Sequence, residues 1–280
     1  MNGYRYRIAI VGGGVAGNVI AHRLHKDHDI TLFEANDYLG GHTHTHDLVV
    51  DGREVAVDSG FIVFNDWTYP NFIALLDELG VGWQDSDMSF SVHCERTGLE
   101  YNGTGINTLF AQRRNLVSPG FLGMIRDILR FNREAPRLLD KDAPEITIGE
   151  YLKQNGYGRR VVEHYIVPMG AAIWSTEPGR MLDFPARFFI RFLDNHGMLS
   201  VDERPTWRVI RGGSREYVRA MMRGFADRVR LGQPVRSVRR MPDGVRIAAG
   251  DGGYEKFDYV FLACHSDQAL AILDDPSDAE

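Results

Sequence analysis

A chain of 280 residues with 44% hydrophobic content is long enough to bury a substantial core, in one large domain or two interleaved ones. Its 32 basic and 38 acidic residues leave a net charge of -6, which argues against nucleic acid as a partner, and no apolar run approaches the ~20 residues that span a bilayer. Cys94 and Cys264 are far apart and form no C-x-x-C pattern, and the N-terminus enters a folded motif with no room for a signal peptide; together these features predict a cytoplasmic protein.

The first predicted element is a strand over Arg7 to Val11, rich in β-branched residues. A helix follows, with Val15, Val19, Ile20 and Leu24 expected on its apolar face. Between them, Gly12, Gly14 and Gly17 make G-x-G-x-x-G, placed between strand and helix as a dinucleotide fingerprint requires. Gly12 serves the tight turn, Gly14 admits a pyrophosphate to the helix N-terminus, and Gly17 permits close packing of helix on strand. The cofactor-binding run is therefore Gly12, Gly13, Gly14, Val15, Ala16 and Gly17. A second strand, in "HDITLFEA", ends at Glu34 and Ala35. An acid at this point accepts hydrogen bonds from an adenosine ribose and repels a 2′-phosphate.

Next comes "GGHTHTHD". Gly40 and Gly41 offer a second place for backbone to approach a ligand without a Cβ. His42, His44 and His46 alternate, so a strand through them would put all three imidazoles on one side. Two such histidines can share a zinc, but such a site needs three or four ligands, and no cysteine or carboxylate cluster is placed to complete one. No metal is expected. The chain then enters a hairpin whose Asp51-Gly52 pair signals a type I′ turn.

From about Trp67 to Pro205 the pattern is mostly helical, apart from a hairpin at "MSFSVHCERTGLEYNG". Pro70 sits near a first helical turn, and "TIGE" at 147 to 150 reads as a capping box. Within 118–139, an apolar set (Phe121, Leu122, Ile125, Ile128, Leu129, Leu139) alternates with Arg126, Arg130, Arg133 and Arg137. That is the composition of an ordinary core-covering helix, or of one resting on an anionic membrane surface. The small residues beside Trp174 in "IVPMGAAIWSTEP" suit a wall near a flat ring, and equally suit packing. Strand and helix patterns return over 206–280, and a strand at 257–263 is expected to join the two N-terminal ones in a parallel sheet.

"FEANDYLGGH" resembles the flavin-containing amine oxidase, protoporphyrinogen oxidase and phytoene desaturase superfamily, in which a glycine pair follows the ribose-binding Glu. His42 stands where an Arg is usual there. "VAVDSGFIVFNDWTYPNFIALLDELGV", which contains Gly60, and "WRVIRGGSREYVRAMMRGFADRVRLGQPVRSV" are also similar to that superfamily. The resemblance places Val235 at the adenine and Ala263, in "KFDYVFLACHSD", beside the cofactor. More narrowly, "GFIVFN", "PMGAAIWST" and "NHG" resemble a bacterial subgroup of NAD/FAD-binding proteins with no known substrate.

The resemblance implies an α/β fold: a Rossmann-like FAD-binding domain with a parallel sheet and β-meander, discontinuous over 1–66 and 206–280, interrupted by a mostly helical substrate domain at 67–205. It implies FAD as cofactor and dehydrogenation of a substrate by hydride transfer. The Phe, Trp, Leu and Met content of the insertion favours an apolar or lipid-like substrate over a small polar amine. His42, Asp58, Tyr69 and His196 are the candidate bases, and none of the four lysines has an active-site context. The superfamily closes with a further FAD motif that has no counterpart after "HSDQALAILDDPSDAE", so a truncated substrate domain is expected. The rival reading is a non-catalytic dinucleotide-binding module. An NAD-dependent dehydrogenase is a third, disfavoured by Gly40-Gly41.

Overall fold

A computed structural model describes residues 4–200 and 204–280. The chain divides into two compact units. The first holds the residues up to Phe64, Pro70–Asp85 and Arg208–Glu280; the second holds Asn65–Tyr69 and Ser86–Trp207.

The first unit is built on a four-stranded parallel sheet. Strand β1 (Arg7–Val11) lies at its centre, flanked by β2 (Asp29–Phe33) and by the strand Tyr259–Leu262, with the short strand Val229–Arg230 beyond β2. The late strand therefore joins the two early ones, as its sequence predicts. One face of the sheet packs on a three-stranded antiparallel meander, Val235–Met241, Gly244–Ala249 and Tyr254–Phe257. Ala9, Val11 and Phe33 meet Val238, Ile247 and Phe257 in that core, Phe33 and Phe257 edge to face at 5.9 Å.

Helix α1 (Val15–Leu24) covers the sheet differently from the expected pattern. Its buried residues are Gly17, Asn18 and Ala21, while Val15 is exposed. Small side chains let the helix axis come close to the strands, and that demand outweighs the pull of the larger apolar residues.

The segment Pro70–Asp85 was expected outside this unit and lies within it. Its helix α2 (Pro70–Leu79) buries Leu75 and Leu76 and sets Phe72 edge to face on Tyr217 at 5.2 Å. Glu78 of α2 also bonds His22 and Arg23 of α1 at 2.9 and 2.7 Å. Aromatic packing and a charged clamp fix the segment there.

Strands β3 (Thr45–Val50) and β4 (Arg53–Asp58) form a separate two-stranded hairpin. Asp51 and Gly52 both have positive φ, 51° and 75°, as the type I′ turn requires. Leu48, Val49, Val50, Val55 and Val57 are all exposed on it.

The second unit is mainly helical around a core that includes Phe121, Met124, Phe131, Ile166, Phe189 and Leu193. The expected hairpin is present as Ser91–Cys94 with Leu99–Asn102. Thr147 and Glu150 bond each other's backbone amides in a reciprocal capping box. The helix Pro119–Glu134 turns Phe121, Met124 and Phe131 inward and leaves Leu122 and Leu129 exposed, which corrects the expected apolar face. Among the described residues, no helix is long and apolar enough to cross a membrane.

Candidate dinucleotide-binding site

The glycine-rich turn leaves β1 at Val11. Gly12 has φ of 104°, and a Cβ there would lie 2.6 Å from the Ala263 carbonyl oxygen, at the end of strand Tyr259–Leu262. Ala263 in turn donates its amide to Val11 O at 2.8 Å. A Cβ on Gly17 would lie 1.9 Å from Gly12 O, and one on Gly13 would meet Leu39 and Glu34. Gly14 is different: nothing lies within 4 Å of its Cβ position, and its φ of -69° is open to any residue. It is the N-cap of α1, which has no side-chain cap and no acid in its first turn, and Val15 and Ala16 beside it are exposed. Free amides at the positive end of a helix, facing open space, suit a pyrophosphate.

Glu34 is buried at the end of β2. Its Oε2 accepts from the Gly13 amide at 2.6 Å and its Oε1 from the Asn36 amide at 2.8 Å. A carboxylate has about four lone-pair sites, so roughly two remain for ribose hydroxyls. Beside it, Gln233 donates its amide to Glu34 O at 2.9 Å and Gly232 to Asn36 O at 2.8 Å. This pairing carries the chain along Glu34 and Asn36 to Val235, the half-buried first residue of the meander. Ala35 is exposed at the same edge.

One residue of the turn was missed by sequence reasoning. Asn18 is fully buried, and its side-chain amide donates to Gly13 O at 2.6 Å and Gly14 O at 2.9 Å, holding the turn in shape. A polar residue directly after the third glycine, on the face that meets the sheet, was the available signal.

The second glycine pair sits against the first. Gly40 donates its amide to Gly13 O at 2.8 Å, and a Cβ on Gly41 would lie 3.0 Å from Gly14 Cα. Gly60 passes so close to His42 that a Cβ would fall 1.7 Å from its carbonyl oxygen. These glycines therefore serve backbone-to-backbone approach within the protein.

The rings of His44 and His46 stay together, centroids 4.2 Å apart, and His42 pairs elsewhere. Strand β3 begins only at Thr45, so His42 and His44 precede it. His42 stacks on His265 with centroids 5.5 Å apart and planes 8° from parallel, His44 stacks on Tyr38, and His46 bonds Ser59 Oγ at 2.9 Å. His265 stands two residues beyond Ala263. No group of three His, Cys, Asp or Glu among the described residues is arranged to hold a metal.

The candidate bases are engaged elsewhere. Asp58 accepts from Thr45 Oγ1, from the Ser214 amide at 3.0 Å and from Ser214 Oγ at 2.8 Å. It ties the hairpin base to the turn at Gly212 and Gly213, whose φ values are 80° and 92°. His196 bonds Phe192 O at 2.8 Å and stacks on the Phe192 ring. Burial raises the Tyr69 phenol above its ordinary range, and Lys256 pairs with Asp243. Trp174 is packed among Phe184, Phe188, Phe189 and Phe192, at 5.0 to 5.9 Å.

The family described as flavin containing amine oxidoreductase matches residues 15–280. Among solved structures, a putrescine oxidase redesigned in its cofactor binding superposes with a TM-score of 0.67 at 21% identity, covering 97% of this chain and 61% of that one. Cyclohexylamine oxidase from Brevibacterium oxydans IH-35A gives 0.69 at 16% identity, with 93% and 58% covered. A CLA-producing fatty acid isomerase from P. acnes gives 0.66 at 18% identity, with 98% and 62% covered. The chain thus spans about three fifths of the length of these structures.

Proposed function

Given that the chain belongs to the flavin-containing amine oxidoreductases, with FAD as cofactor, we propose that it works in oxidation or desaturation of an apolar substrate by hydride transfer. FAD, when bound, supplies the hydride acceptor. This chain's residues bind and orient it. Gly14 and the free amides of the first turn of α1 would hold the pyrophosphate, Glu34 would hold the ribose, and Val235 would meet the adenine. Ala263 borders the same turn, and His42, next to Gly41, stacks on His265.

The observation that carries the reading is the contrast among the glycines: Gly14 alone of Gly12, Gly13, Gly14 and Gly17 faces space, at an uncapped helix start beside a buried acid. An apolar substrate is favoured by the aromatic set around Trp174, of which Phe188 is exposed, and one structural neighbour is a fatty acid isomerase.

The test is titration of the purified chain with FAD and with ADP, followed by absorbance and calorimetry. Binding of both, and reduction of bound FAD by an apolar donor, is the expected result. All contacts identified above lie on the adenosine diphosphate half, so similar affinities for the two ligands are expected. A second reading, a non-catalytic dinucleotide-binding module, is favoured by the engagement of Asp58 and His196 in structural bonds. Binding without any reduction of FAD would select it.

A further inference from the structure

The helical unit carries a basic cleft that the functional reading does not use. About 530 Å³ in volume, it is lined by Arg96, Arg114, Arg159 and Arg160, with Asn115 and Ser118 between them. Glu163 is the one carboxylate among the lining residues, and it is bonded to both Arg96 at 3.0 Å and Arg159 at 2.6 Å. Four guanidiniums thus meet a single negative charge, in a chain whose net charge is -6.

Two of the arginines pair with no carboxylate among the described residues. Arg114 uses one N–H on Gly98 O at 3.0 Å. Arg160 makes no hydrogen bond or ion pair among the described residues. Its guanidinium lies instead on the first turn of the helix Pro119–Glu134, where a Cβ on Gly120 would fall 2.8 Å from both its Cζ and its Nε. A helix start is the positive end of its dipole, and the exposed Arg160 stands there with no counter-ion among the described residues. An anion in the cleft would complement both.

We propose that this cleft binds a phosphate group, carried by a lipid headgroup or by a soluble phosphate ester. Guanidinium forks match phosphate oxygens in bidentate geometry, and the Ser118 hydroxyl and Asn115 amide add neutral donors at the same wall. The short helical turn Arg113–Val117 adds an apolar element. Leu116 and Val117, 50% and 81% exposed, stand between Asn115 and Ser118 in the chain. A lipid would use them; a soluble ester would not. The proposal is independent of whether FAD binds.

The experiment uses the full chain beside its Gly14→Val variant, so that phosphate taken up by the glycine-rich turn is told apart from phosphate in the cleft. One arm titrates inorganic phosphate calorimetrically. The other sediments the protein with vesicles of phosphatidic acid in phosphatidylcholine, against phosphatidylcholine alone. The paired substitution Arg114→Gln and Arg160→Gln weakens binding roughly tenfold in whichever arm binds, and Gly120→Ala, which displaces the Arg160 guanidinium, weakens it independently. Unchanged circular dichroism confirms the fold of each. Binding to acidic vesicles that Val117→Asp abolishes assigns the phosphate to a lipid. Binding of inorganic phosphate with inert vesicles assigns it to a soluble ester. Failure of both arms, or undiminished binding in the folded arginine variants, overturns the site.

Discussion

The Gly13 amide donates to Glu34 Oε2 at 2.6 Å, so the acid at the end of β2 fastens the turn at the end of β1. One carboxylate shapes the loop and presents its remaining lone pairs outward. Glu34→Gln keeps an oxygen acceptor and a similar shape; Glu34→Ala leaves the Gly13 and Asn36 amides without one. The Ala variant is expected to lose about 1–3 kcal/mol of stability and the Gln variant less, with ADP affinity falling in both. Urea unfolding and calorimetry check this. An Ala variant as stable as the parent would show that the carboxylate does not hold the turn.

Gly14 and Gly17 are expected to separate binding from folding. Gly14→Val adds a side chain into open space at an ordinary φ, so the melting temperature holds while ADP and FAD binding are lost. Gly17→Ala places a methyl 1.9 Å from Gly12 O, and it should cost several kcal/mol through displacement of the helix from the sheet. Thermal unfolding of the two variants beside ligand titration reads both effects. Strong binding by folded Gly14→Val protein would remove the pyrophosphate from this turn.

Asp58 is expected to be structural. Asp58→Ala strands the Ser214 amide and the Thr45 hydroxyl, while the Ser214 hydroxyl keeps Phe61 O as acceptor, for a loss of about 1–3 kcal/mol. Denaturant unfolding measures it. A variant of parental stability that had lost only turnover would make Asp58 catalytic instead.

Tyr217 sets an alkaline limit. Its hydroxyl shares a hydrogen bond with Thr43 Oγ1 at 2.6 Å, and burial pushes its pKa from 10.0 up to about 12. Above pH 10 the unfolded chain releases this proton and the folded chain keeps it, so folding is progressively disfavoured as pH rises towards about 12. The tyrosine contributes about 2 kcal/mol to that decline. Tyr217→Phe has nothing to titrate, so its urea midpoint should fall less steeply over the same range. Parallel profiles for variant and parent would rule Tyr217 out.

The two early strands were legible because β-branched runs stop at residues with another task, Gly12 after β1 and Glu34 after β2. The turn at Asp51-Gly52 and the cap at Thr147 and Glu150 were legible because each is a local bargain between near neighbours. The buried face of α1 was not. Hydrophobicity selects Val15 and Leu24, whereas close approach to a sheet selects Gly17 and Ala21 and tolerates an Asn18 that bonds the turn. Helix Pro119–Glu134 has more apolar residues than its core can bury, so its sequence left open which of them face out. Strand Val229–Arg230 is too short to carry a period. At the site, Gly12, Gly14, Gly17 and Glu34 come together as their spacing indicates. The work of Gly60 was hidden because it is done against the His42 carbonyl, distant in sequence.

The hairpin of β3 and β4 is wet on both faces and pinned at one end. Arg215 grips Asp47 with both guanidinium arms, and Thr45 and Ser214 bind Asp58 beside it. A two-stranded ribbon with no packed face is marginal in water, so its ladder opens from the Asp51-Gly52 turn towards these pins. Amide hydrogen exchange along it is therefore graded, fastest at Val50 and Arg53 and slowest at the Thr45 and Asp58 end. The ribbon frays like a cord knotted at its base.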